Sequence, residues 1–107
     1  MALVKIIDNV VVTPDGTGCH NLSMRLRLFA NGANPETDEP LMECEKTGLV
    51  KSYVGGLTQN DLIARATEKI IKEFQIAIDA YIIRQNIAKK IDTKAIESRL
   101  DISKAGA

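Results

Sequence analysis

Residues 58–90 read TQNDLIARATEKIIKEFQIAIDAYIIRQNIAKK, and this stretch decides the fold. It contains neither proline nor glycine. At 100° per residue Ile63, Ala66, Ile70, Phe74, Ala77, Ile78 and Tyr81 gather on one broad arc, with Leu62, Ile71 and Ile82 on its flanks. That periodicity predicts a single α-helix over about 58–90, roughly 50 Å long. Thr58 stands at the N-cap position and Asp61 three residues on, where its carboxylate also meets the positive end of the helix dipole. Asp92-Thr93 offers a break and a fresh cap before a short helix over about 94–100, and residues 103–107 read as a tail.

The same helix carries a second apolar stripe. Ile76, Ala80, Ile83 and Ile87 follow one another at spacings of four, three and four, on a side that is polar earlier in the helix, where Arg65, Lys69 and Lys72 occupy it. A strand of eight residues spans ~26 Å, about half the helix, so a small sheet is expected to leave the C-terminal half of the helix overhanging. Either the short helix folds back and lays Ile96, Leu100 and Ile102 on the second stripe, or another chain covers it. The stripe extends over barely two heptads, too few for an independent coiled coil.

Upstream of Gly55-Gly56 the character changes to alternating and β-branched residues. Residues 3–13 form the first expected strand, interrupted at Asp8-Asn9 by a bulge or tight turn. Thr13-Pro14-Asp15-Gly16-Thr17-Gly18 is a turn, with proline presetting φ and glycine accepting positive φ. The second strand, residues 21–30, puts Leu22, Met24, Leu26 and Leu28 on one face and Ser23, Arg25, Arg27 and Phe29 on the other. After a polar loop over 31–40, a third strand runs over about 41–54, broken near Gly48. Antiparallel pairing then brings Glu43 and Glu45 to the face that carries Arg25 and Arg27. The expected fold is α+β: an N-terminal antiparallel sheet of about three strands packed on one long C-terminal helix, followed by a short one. It is one domain over 1–107, with a strand-rich half (1–57) and a helical half (58–107).

Composition narrows the function classes. The 107 residues include 14 basic and 14 acidic side chains, a balance that argues against holding nucleic acid or an anionic membrane by bulk attraction. The zero is a sum of unlike parts: residues 1–57 carry five basic and seven acidic side chains, residues 58–107 nine and seven. No apolar run is long enough to cross a bilayer, and the first residues lack a basic region leading into an apolar block. The expected location is the cytoplasm or an assembled particle, with Cys19 and Cys44 reduced.

Candidate chemistry is sparse. Cys19 and His20 are sequence neighbours, which on a strand point to opposite faces, so a nucleophile–base pair is not expected. Cys19, His20 and Cys44 supply at most three zinc ligands without the usual paired spacing. The acidic loop of Glu36, Asp38, Glu39, Glu43 and Glu45 does not follow a calcium-loop pattern. Gly16-Thr17-Gly18 lacks the lysine of a phosphate loop, while Gly55-Gly56 precedes a helix N-terminus that could hold an anion. We therefore expect no catalytic residue, no metal and no cofactor. Arg25 and Arg27 with Phe29 on one strand face are the candidate surface for nucleic acid, thinly supplied with aromatic partners. Lys89, Lys90, Lys94 and Arg99 near the helix break are a second, separate candidate.

The layout of a strand-rich half followed by one long helix resembles small structural components of phage tails and related particles. That resemblance, one of architecture, implies a non-enzymatic chain that assembles through sheets and helices. The expected function is a structural assembly protein that self-associates through the long helix, at Ile76, Ala80, Ile83 and Ile87, or through the open edges of the sheet. Its partner is a second copy or a neighbouring structural protein. A small nucleic-acid-associated protein is the alternative.

Overall fold

The computed structural model of the protein describes residues 2–103, so most of the expected tail lies outside the described residues. Three strands, β1 (Leu3–Pro14), β2 (His20–Ala30) and β3 (Met42–Val50), form an antiparallel sheet in the order β1-β2-β3. The sheet packs on α1 (Gln59–Lys90), and α2 (Thr93–Arg99) follows. The α+β arrangement read from the sequence is the one observed.

Each boundary has a local cause. Asp15 ends the first hairpin by accepting from the Thr17 backbone N–H (2.8 Å) and hydroxyl (2.7 Å), with Gly16 and Gly18 at positive φ. Asn9, at φ +51°, is the bulge residue of β1, and the register with β2 shifts between Asp8 and Val11. A capping box starts α1: Thr58 Oγ1 accepts from the Asp61 N–H (3.2 Å), and Asp61 Oδ2 accepts from the Thr58 N–H (2.9 Å). Asp92 caps α2 by accepting from the backbone of Lys94 and Ala95. The third strand is shorter than expected and ends at Val50.

Gly48 does not break β3; it is where the helix comes closest. A Cβ built there would lie 2.7 Å from the carbonyl oxygen of Ala66, closer than any real side chain tolerates. Helix and strand therefore touch backbone to backbone, and only glycine fits.

The core is made of Leu22, Leu26 and Leu28 from β2 with Ala66, Ile70 and Phe74 from α1, all buried. Met42, Cys44 and Val50 of β3 close one side. Two expectations need correction here. The buried helix face is rotated, so that Leu62 is buried while Ile63 is 41% exposed. The helix also does not cover the whole sheet, because it lies over β3 and β2 only. Strands sit about 4.8 Å apart and a helix is about 10 Å across, so one helix can roof only two strands. From β1, only Leu3 reaches the core among the described residues.

The overhang is real but shorter than half of the helix. β2 has 11 residues and β1 has 12, so the sheet extends about 36–40 Å beside a helix of about 48 Å. The last residues of α1 packed on the core are Ile78 and Tyr81. Beyond them α1 and α2 project as an arm, and among the described residues α2 packs on no other element. The protein is accordingly elongated, 72 × 33 × 22 Å, with a radius of gyration of 21.3 Å where a compact chain of this length has about 13 Å.

Candidate functional site

The stripe named from the sequence divides into two parts. Ile76 and Ala80 run alongside the sheet, on the side of α1 turned toward the β3 edge. Lys69, on that same side, donates from Nζ to the Thr47 carbonyl (3.4 Å). Ile83 and Ile87 lie on the arm. Ile76 is 68% exposed and Ile83 and Ile87 are each 56% exposed, while Ala80 is half-buried. The arm continues with Ile91, Ile96, Leu100 and Ile102, all exposed. Of the two coverings weighed for the stripe, the fold-back of α2 is not the one present.

A second apolar surface was missed in the sequence. The pairing of Ile7 with Leu26 and of Val12 with Leu22 points both β1 side chains to the helix side of the sheet. Neither is roofed. Facing them is the α1 flank of Ile63, Ile71, Ile78 and Ile82, so sheet and helix form an open corner. No periodicity could have shown which two strands the helix covers, but helix width against strand spacing could have shown that one strand stays bare.

The opposite sheet face is polar and largely self-satisfied. Register places Arg25 opposite Glu45 and Arg27 opposite Glu43, as the sequence suggested. The close ion pairs, however, go to the other neighbour: Asp8 accepts from Arg25 Nε (2.7 Å) and from Arg27 Nη2 (2.7 Å). Glu43 stands 3.9 Å from Arg25, and Glu45 accepts from the Ser23 hydroxyl. Arg27 also donates to the Pro35 carbonyl (3.2 Å) and lies over the ring of Phe29, which is fully buried. The Arg25 hydrogen bond, set against partial burial and joined by Arg27, holds the Asp8 carboxyl below its usual range. Asp8, read in the sequence only as part of an interruption, is thus the pivot of this face.

These bonds bear on the other candidate residues. Arg25 and Arg27 are committed to Asp8 on the outer face, whereas Lys89, Lys90 and Lys94 belong to the arm on the far side of the sheet. They do not form one basic surface. His20 pairs with Val50, so Cys44 lies six residues further along β3, about 20 Å away. Cys19, His20 and Cys44 therefore do not converge, and both cysteines are free thiols. Burial pushes the Cys44 thiol up, away from a nucleophilic thiolate. In the acidic loop Asp38 is spent on local structure, accepting from the Asn34 N–H (2.8 Å). The amides at the start of α1 are served by the capping box, and hydrogen bonds from Thr58 lower the Asp61 carboxyl. No helix among the described residues is long and apolar enough to cross a membrane.

Comparison with known proteins adds no name to this geometry. No family model, no curated protein and no solved structure matches the chain.

Proposed function

We propose that the protein is a non-catalytic assembly component that associates with copies of itself through its long helix. Ile76, Ala80, Ile83 and Ile87 lie at or beside the contact. The observation that carries this reading is the arm, a helical extension with exposed isoleucines that reaches past its own core and finds no cover among the described residues.

Surface area supports it. A compact monomer of 11.7 kDa exposes about 5,900 Å². This chain exposes 8063 Å². The difference is of the order that two stable interfaces take from one partner, at about 800 Å² each. Ile83, Ile87, Ile91, Ile96, Leu100 and Ile102 are among the exposed residues, and exposed apolar surface of this kind marks interaction sites. Assembly into a particle of the phage-tail kind is one setting in which such a chain would serve, and there its neighbours are structural proteins.

Light scattering over a wide concentration range tests the reading. We expect a mass above one chain that rises with concentration, and a persistent 11.7 kDa species at the highest concentration would overturn it.

A further inference from the structure

The open corner and the arm are both exposed apolar surfaces. The corner has a sheet wall, where Ile7 is 47% exposed and Val12 is also open, and a helix wall, where Ile71 is 54% exposed. Depressions of about 260 Å³ beside Val12 and Ile63 and about 270 Å³ beside Leu3 and Ile78 lie along it. A helix roofs two strands, and α1 already occupies β2 and β3. The vacant seat beside α1, over β1, is therefore one strand wide, so that a helix resting there would also overhang the free edge of β1. It runs for most of the length of β1, about 30 Å, and the arm offers two helical pieces, the end of α1 from Ile83 to Lys90 and α2, joined by the extended Ile91 and Asp92.

Charge points the same way. Residues 1–81 carry eight basic and eleven acidic side chains, residues 82–107 six and three. One step further round α1 from Ile71, Ile78 and Ile82 come Glu68, Gln75 and Asp79, which put two carboxylates on the helix rim of the corner. Lys5 stands on its sheet wall opposite Leu28, and Lys89 lines its end beside Leu3. The arm brings Arg84, Lys89, Lys90 and Lys94 next to its isoleucines. Two arms would repel, whereas the net-negative body of one copy attracts the net-positive arm of another.

We propose that the corner between β1 and α1 is the seat for the C-terminal arm of a second copy of this chain, so that copies join head to tail. The inference rests on the self-association reading and adds which two unlike surfaces meet. A contact between unlike surfaces repeats: each copy that gives its arm still has an empty corner. The product is a ring if the rotation closes and a filament if it does not.

Mixing two blocked variants tests it. Ile7→Glu with Ile71→Glu puts charge in the corner, and Ile96→Glu with Leu100→Glu puts charge on the arm. All four side chains are exposed, and far-UV circular dichroism checks the fold. Ile7→Ser with Ile71→Ser replaces the first pair if helix content falls. We expect wild type to assemble, each blocked variant alone to be monomeric, and an equal mixture to form a complex of one chain of each. That rescue requires an intact arm on one chain and an intact corner on the other. A mixture that stays monomeric while wild type assembles overturns head-to-tail docking and leaves self-association standing, as does a corner variant that assembles like wild type. A wild type that stays monomeric overturns both.

Discussion

The two ends of α1 are one continuous helix with opposite fates. Between Leu62 and Phe74 the side chains facing the sheet are buried, and the backbone comes close enough at Gly48 to exclude a methyl group. From Ile82 to Lys90 the helix is as rich in isoleucine, yet no side chain is buried. The difference lies in what stands opposite, because hydrophobicity sets only that a face must be covered and the length of the sheet sets where cover ends. Within one chain the second half adds exposed apolar surface without adding to the packed core.

The sharpest way to break this contrast is to remove the same side chain from each half. Ile70→Ala leaves a cavity at a fully buried site and should cost about 2–5 kcal/mol of unfolding free energy in urea titrations. Ile87→Ala should leave monomer stability within about 0.5 kcal/mol. It should instead shift the concentration dependence of assembly. Equal losses from both would mean that the arm is packed on its own chain.

A smaller effect, of about 1–3 kcal/mol, is expected from Gly48→Ala, because the new methyl must push α1 off β3. Thermal unfolding checks it. The two helix caps give a finer comparison still. Thr58→Ala should lower global stability by about 1 kcal/mol, since α1 is part of the cooperative core. Asp92→Ala should only melt α2, lowering helix content without moving the unfolding midpoint.

The smallest expected effect is electrostatic and belongs to the outer face alone. The Asp8 carboxyl lies below its ordinary value in the folded chain, so its ion pairs stabilise the fold above the unfolded pKa of about 4. That contribution is lost as pH falls through the lower folded value. Asp8→Asn should lower stability at pH 7 and flatten its decline toward pH 2, in acid titrations followed by circular dichroism. The arm, which has no part in this network, should show no such change.

Much of the fold was legible because it is written in short-range pattern. The alternation of Leu22, Met24, Leu26 and Leu28, the Thr58–Asp61 box and the Asp92 cap each specify local geometry by themselves. The candidate surfaces were legible only in part. The exposure of Ile83 and Ile87 followed from helix length, a one-dimensional quantity. The bare face of β1 did not, because Ile7 and Val12 carry no mark distinguishing an uncovered strand from a covered one. Asp8 escaped for a related reason. Its partners lie on a neighbouring strand, and only the register beyond the Asn9 bulge brings it between Arg25 and Arg27.

One consequence of the unbroken helix is mechanical. No glycine or proline interrupts α1 from Gln59 to Lys90, so the first part of the arm, up to Lys90, is a lever fixed in the core, and the break at Ile91 and Asp92 comes only at its tip. Its direction is set by how α1 sits on β3, with Gly48 as the point of closest contact. A copy carried on such a lever is held at a set angle, and repeated placement at that angle accumulates as curvature. A change of a few degrees at the buried end would be multiplied along every later copy. The shape of anything built from this chain would then be governed from inside the fold, far from the surfaces that touch.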